Sequence, residues 1–400
     1  PENEIMTLLD NGVVYNWENI EANWKYAYDN LDCGIPLDPK EHPLVMTEPS
    51  WNSKKNKLAA AQIAFESLEV PIFSLVKNPL AQLYHQGRAT GLVIDLGASV
   101  TLVTPILDGI IQNKASFHLK YGGEFANLHC LEYLKKQVPG VNEIYPKAFG
   151  NRFPANPTPS LINFQIANRE LEDFKSSMLQ ISDVPANARH IQAQHKSYYL
   201  PSGKLVPVEQ KQFTLLEPVF QPLVYPVGDI SIPQPAFEKP STQGLTHIIL
   251  SSLKALEASV IPQAILENTT HTSANSSHHA RFNEILHELL NNILITGGGS
   301  LTTGLSQRLL HDLYKSINQY FPNYLCTQPG RLVLGTLGGN AAPGYDVWDK
   351  KFGSWIGACN LGSMLNDDDE SGTNIALENW FVTKSDYDEL GEDVIFEKFK

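Results

Sequence analysis

Apolar residues recur along this chain at two spacings, and the two alternate. Between Asn16 and Asn30, Trp17, Ile20, Trp24, Ala27 and Tyr28 fall three or four residues apart, which predicts a helix. The apolar run Pro43–Thr47 predicts a buried strand. Lys55–Leu68, with Ala59, Ile63, Ala64 and Leu68 on one face, predicts a second helix, followed by a strand over Val70–Val76 and a helix over Pro79–Gln86. Gly91–Asp95 and Val100–Ile106 flank a tight turn at Gly97, a hairpin signature. Strands alternating with helices predict an α/β architecture with largely covered sheets.

Further on the pattern is less regular. Pro139–Pro159 is rich in Pro, Gly and Asn and reads as loops. Asn168–Ile181 predicts a helix with Leu171, Phe174, Met178 and Leu179 on one face, and Thr246–Leu256 another. Six prolines between Pro218 and Pro240 mark a connection rather than an element. Glu267–Ala280 is dominated by Asn, Thr, Ser and His, so a solvated insertion is expected. Its sequons at Asn268 and Asn275 mean nothing without secretion. Asn291–Thr296 predicts a buried strand meeting Gly297, Gly298 and Gly299, and Leu305–Asn318 a helix. Asp367–Glu370 is expected in a second polar surface loop.

Composition narrows the picture. At 400 residues the chain exceeds the ~250–300 at which one core stops growing, so two lobes or more are expected. A net charge of −13 argues against a broad face that neutralises DNA phosphates, so any link to nucleic acid should run through a partner. Cys33, Cys130, Cys326 and Cys359 are far apart and form no CxxC pair, which points to reduced thiols and no metal site. No apolar run approaches the ~20 residues that span a bilayer, so no membrane partner is expected. The chain opens at Pro1 in mid-pattern, and an N-terminal segment is expected to be missing.

Two glycine turns could carry chemistry: Asp95–Ser99 after a strand, and Thr296–Ser300 between a strand and a helix. Backbone amides at such turns can cradle phosphate. Neither is specific alone, since a tight packing turn has the same signature, and neither fits a P-loop or a dinucleotide fingerprint. His287-Glu288 lacks the second histidine of a zinc helix, and His278-His279 is expected in solvent. No nucleophile elbow or catalytic cysteine context occurs.

The order of several motifs resembles actin and its relatives over essentially the whole chain. Gly12–Trp17, Glu41–Glu48 with Trp51-Asn52, Gly87–Gly91, Val93–Gly97, Thr104-Pro105 and Asp108-Gly109 carry the resemblance first. Lys196–Gly203, Phe220-Gln221-Pro222, Asn291–Gly304 and Trp355–Gly357 continue it. The resemblance implies an α/β, actin-like fold of two lobes, each on a five-stranded sheet, closing on a nucleotide cleft. By this register residues 1–85 and 353–400 form the first lobe, whose leading strands and first phosphate loop would precede Pro1. Residues 86–121 with 245–352, and residues 122–244, would form the other two parts.

It also implies which residues matter. Asp95, Gly97, Lys175, Gly297, Gly298, Gly299 and Lys351 match nucleotide-binding positions, so ATP is a candidate cofactor, bound without hydrolysis. Ser176 and Thr302 depart from the adenosine side, which leaves retention of ATP open. The hydrolytic positions have changed: Asn78 stands for a glutamine, Leu102 for a histidine, and Ala98 for a second carboxylate. Asn78 is one methylene short, and a displacement of about 1 Å can cost on the order of a hundredfold in rate. The expectation is a pseudo-ATPase with no catalytic residue.

Tyr15–Glu18, Val70–Phe73, Ile94–Ser99, Thr104–Ile110 and Phe174–Ile181 resemble most the actin-related protein seven class of the fungal SWI/SNF and RSC remodellers. Thr47–Ser53 resembles the actin-related protein four class. The implied protein is nuclear, pairs with a second actin-related protein, and sits on a helicase-SANT-associated helix of a remodeller ATPase. It would also meet other remodeller subunits, and nucleosomes only indirectly. The helix would occupy a groove formed by Tyr84, Gly87, Arg88, Ile356, Leu361 and Met364. A cytoplasmic relative that binds or caps filaments, or an active ATPase of the same fold, are the alternatives.

Overall fold

A computed structural model describes residues 5–30, 35–151, 157–185, 196–225, 243–261, 273–338, 345–366 and 374–399. The chain divides into a central unit, Pro1–Met6 with Thr90–Lys351, and a terminal unit, Thr7–Ala89 with Phe352–Lys400.

The terminal unit begins with a small hairpin, β1 (Leu9–Asp10) and β2 (Val13–Val14), then α1 (Ile20–Asn30) and β3 (Leu44–Glu48). Helix α2 (Lys54–Gln62) is opened by Ser53, whose hydroxyl accepts from the Asn56 N–H. It ends in a π turn over Ile63–Ser67. Strand β4 (Ile72–Lys77) pairs parallel with β3, and α3 (Asn78–His85) follows at once, with Pro79 in its first turn where a missing N–H costs nothing.

The central unit is built on a five-stranded sheet. Strands β5 (Gly91–Leu96) and β6 (Thr101–Leu107) form the expected hairpin, and β7 (Ile110–Ile111) and β8 (Phe117–Leu119) both pair with β6. Helices α4 (Gly123–Gln137), α5 (Lys147–Gly150), α6 (Pro159–Gln165) and α7 (Leu171–Met178) come next, with a π turn over Ile166–Glu170 between the last two. A second hairpin of β9 (Ser197–Tyr199) and β10 (Leu205–Pro207) precedes α8 (Lys211–Thr214) and α9 (Leu245–Val260). Then come α10 (Ser273–Asn291), β11 (Ile293–Thr296), which pairs parallel with β5, and α11 (Leu305–Tyr320). The core gathers Leu92, Ile94 and Val103 of the sheet against Leu253 and Leu256 of α9, Phe282 and Leu286 of α10, and Leu309 and Leu313 of α11.

Helix α12 (Tyr345–Ser363) leads into the last stretch, with α13 (Ile375–Trp380), β12 (Val382–Thr383), α14 (Lys384–Leu390) and α15 (Glu392–Lys398). Strand β12 returns antiparallel to β4, and α14 opens on a capping box of Thr383 and Asp386. Phe65, Phe73, Tyr387 and Phe399 form the aromatic centre of this unit, with Phe65 stacked on Tyr387 at 4.7 Å. Gly357 of α12 passes so close to α3 that a Cβ would lie 2.0 Å from the Ala81 carbonyl oxygen.

The terminal sheet has three strands among the described residues, in the order β12-β4-β3, and Leu9–Val14 forms a separate hairpin. Two sequence expectations change. The expected solvated insertion is helical from Ser273 onward, since Phe282, Leu286, Leu289 and Leu290 give α10 a buried face. His279 is not free in solvent: its Nδ1 lies 3.2 Å from the Tyr324 hydroxyl. Asn268 and Asp367–Glu370 fall outside the described residues, as does Cys33. Cys130 and Cys326 are buried free thiols, Cys359 an exposed one, and no described helix is long and apolar enough to cross a membrane.

Candidate functional site

The two glycine turns that stood out in the sequence are neighbours in space. Because β11 pairs parallel with β5, Thr296 lies opposite Asp95, and both strands end side by side. Gly297 leaves β11 with φ +85°, where an L side chain is strained. A Cβ there would sit 2.4 Å from Asp95 Oδ1 and 2.5 Å from the Leu96 carbonyl oxygen, so only glycine lets the two turns meet. Gly299 repeats the approach, with Leu96 atoms 3.0 Å from its would-be Cβ, whereas the space above Gly298 is open.

A third piece was missed in the sequence. Gly122 and Gly123 open α4 directly beneath the β5–β6 turn, and a Cβ on Gly122 would be 2.5 Å from the Ala98 carbonyl oxygen. The Gly123 N–H donates to Gly97 O at 3.0 Å, and the Glu124 N–H to Ala98 O at 2.8 Å. The hairpin turn therefore caps α4 itself, and the amides at the helix start are already used. The paired glycines ahead of the apolar positions Phe125, Ala126, Cys130 and Leu134 were the available signal.

Several other amides at these turns meet no backbone carbonyl among the described residues. The Gly97 N–H closes the hairpin onto Val100 O at 3.0 Å, but those of Ala98, Ser99 and Val100 donate to no backbone carbonyl among the described residues. The same holds for Gly298 and Gly299. Two adjacent strand ends thus carry N–H groups that no described backbone carbonyl accepts, a donor set suited to phosphate oxygens.

Lys175 joins them from α7. Its Nζ lies 3.6 Å from the would-be Cβ of Gly123, donates to Gly123 O at 3.4 Å, and pairs with Glu172 at 2.6 Å. Lys351 is brought alongside because the preceding carbonyl, Lys350 O, accepts from the Gly297 N–H at 2.7 Å and from the Thr296 hydroxyl. So Asp95, Gly97, Lys175, Gly297, Gly298, Gly299 and Lys351 gather at one edge of the central sheet. The donors present fit a phosphate-bearing ligand. The carboxylates fit a divalent cation less well, because Ala98 contributes none beside Asp95 and Mg²⁺ prefers an oxygen-rich shell.

Across the hairpin from Asp95 stands Leu102, 5% exposed, and across from Leu102 on β8 stands His118. Directly paired residues share a face, so the side chain beside the Asp95 carboxylate is apolar. Burial, together with Lys120, holds the His118 pKa below its usual value. Burial also pushes the His129 imidazole of α4 down to about 4 and the nearby Cys130 thiol up to about 12.

Asn78 belongs to the terminal unit, at the first position of α3. Its Oδ1 is shielded from solvent and has no hydrogen-bond partner among the described residues. The expected groove residues also lie in that unit. Tyr84 packs edge-on against Trp380 at 5.7 Å, Gly87 ends α3 with φ +65°, and Arg88 is exposed. Ile356 is half-buried and Met364 is 47% exposed. Leu361 differs: it is 7% exposed and packs with Val76, Ala81, Ala376 and Phe381 as core, so it lines no open surface.

The comparisons agree with one another. A family profile described as Actin matches residues 1–400. The chain is 29% identical to Actin-related protein 4 of Yarrowia lipolytica, over all of this chain and 81% of that protein. It is 27% identical to Actin-related protein 7 of Saccharomyces cerevisiae, over 98% of this chain and 84% of that protein. It is 25% identical to the SWI/SNF and RSC complexes subunit arp42 of Schizosaccharomyces pombe, again over 98% of this chain and 84% of that protein.

Proposed function

Because the chain belongs to the actin family, we propose that it works as a non-catalytic actin-related subunit of a nuclear, ATP-dependent chromatin-remodelling complex. The observation that carries the non-catalytic half is Leu102, a buried aliphatic side chain paired directly across from Asp95. An aliphatic group cannot orient a water for attack on a phosphoanhydride, and Asn78 and Ala98 shorten or remove two further polar groups. The remodeller half is supported by the fission-yeast relative, a SWI/SNF and RSC complexes subunit, and by the two relatives named as actin-related proteins.

On this reading the cradle of Ala98, Ser99, Val100, Gly298 and Gly299 holds a nucleotide's phosphates, with Lys175 and Lys351 toward the adenosine, as a fixed part of the fold. ATP, when bound, would supply phosphate oxygens for those amides to donate to, and no chemistry. The terminal unit supplies the partner surface, through Tyr84, Gly87, Arg88, Ile356 and Met364, for a helical segment of the remodeller ATPase beside a second actin-related protein. An amphipathic helix laid on an apolar surface is a common recognition mode.

Phosphate release by the full-length protein, with nucleotide extracted and quantified from the same preparation, tests the non-catalytic half. Release at buffer background is expected. Multiple turnovers abolished by Asn78→Ala would sink it. Affinity capture from nuclear extract tests the other half, and recovery of actin filaments in place of a remodeller ATPase would favour the filament-binding alternative.

A further inference from the structure

The terminal unit buries two ammonium groups around one carboxylate. Glu48, at the end of β3, lies opposite Lys77, at the end of β4, and they form an ion pair through Glu48 Oε1. Lys57 of α2 reaches the same oxygen at 3.6 Å, and Asn52 donates to Glu48 Oε2 at 2.7 Å. The side chains are 3%, 7% and 12% exposed for Glu48, Lys57 and Lys77, so solvent screens them little. The Lys57 ammonium also donates to the carbonyl of Phe399, just past the end of α15. One side chain thus touches both the carboxyl ends of β3 and β4 and the segment that closes the unit's aromatic core, where Phe399 meets Phe73 edge-on at 5.8 Å.

We propose that Lys57 is a proton-linked clamp on the C-terminal helix α15, strained while its ammonium is charged and tightened when it releases that proton to solvent. The physical reason is an excess of buried positive charge. Glu48 cannot neutralise two ammonium groups at once, and removing a charge from water without a full partner is costly. Lys57 is the group that can relieve this, because its neutral amine still donates to Phe399 O.

The groups facing Lys57 are Glu48 from β3 and Lys77 from β4. From α15, Glu397 points to solvent and Lys398 reaches the Glu378 carbonyl. On α2 itself, Lys54 sits over the Phe396 ring at 5.3 Å. Burial, then Lys77, outweighs Glu48 and brings the Lys57 pKa down from 10.5 to about 8. Between those values the folded chain carries fewer protons than the unfolded one, so folding is favoured as pH rises.

Hydrogen exchange on the full chain, corrected for the intrinsic pH dependence of exchange, tests this. Protection of the Val394, Ile395 and Phe399 amides should rise about tenfold from pH 7 to pH 9. Lys57→Met should abolish the rise. Lys77→Met, which leaves the Glu48–Lys57 pair intact, should move the rise to higher pH. A flat wild-type profile, or an equal rise in Lys57→Met, overturns the clamp. If neither methionine variant folds, an NMR titration of the wild-type Lys57 side chain decides, with a midpoint near 8 in support and one near 10.5 against.

Discussion

Both units bury a cation, and they do so in opposite ways. In the central unit Arg308 of α11 is completely buried, pairs with both oxygens of Glu217 at 2.7 and 3.3 Å, donates to Asp312 at 2.7 Å, and lies over the Phe220 ring at 4.7 Å. Burial works against its charge, but Glu217 and then Asp312 outweigh it, and its pKa is held above the ordinary value. In the terminal unit two ammonium groups share one carboxylate, and the pKa of Lys57 falls. The guanidinium has no neutral form within reach and must be matched by carboxylates, whereas an amine can shed its proton. Arg308 therefore acts as a fixed tie between α11 and the Glu217–Phe220 segment, while Lys57 is an adjustable one.

The sharpest way to break this contrast is to remove the partner of each cation. Glu217→Ala should cost about 3–5 kcal/mol in denaturant unfolding, because it strands a buried guanidinium on Asp312 alone. Glu48→Gln should cost less, about 1–3 kcal/mol, because Lys57 can go neutral. Equal costs would mean that the two cations are held in the same way. A gentler probe is pH. Raising it from 7 to 9 should stabilise the terminal unit by about 1.4 kcal/mol, and residue-specific unfolding probes in the central unit should show no matching gain from Arg308. The smallest stability effect is expected at the partner surface. Met364→Asp should change unfolding by less than about 0.5 kcal/mol yet weaken capture of a remodeller ATPase. Undiminished capture would remove Met364 from that surface.

The β5–β6 hairpin was legible because two apolar runs flank a glycine turn, and the strand into Gly297–Gly299 because three apolar residues, Ile293, Leu294 and Ile295, run through Thr296 into glycines. Their meeting was not, since it depends on the parallel register that sets Thr296 beside Asp95. The same limit hid the buried charges. Glu48, Lys57 and Lys77 lie on β3, α2 and β4, and in the sequence each reads as an ordinary polar position. Helix α10 was misread for a different reason: its first turns carry Asn, Ser and His, and the apolar period that defines its buried face starts only at Phe282. Leu361 was placed in the groove by the family resemblance alone, and the packing of Val76 and Phe381 against it makes it core.

The pairing of β12 with β4 also bears on how the protein is made. Val382 lies beside Phe73, so this pairing forms only after roughly 300 further residues have left the ribosome. At about 5–20 residues per second that is a wait on the order of 15–60 s, during which β4 has one unfilled edge and the central unit can already be folding. Until Phe399 emerges, Phe65 and Phe73 lack a cover, and a nascent chain in that condition is a natural client for chaperones.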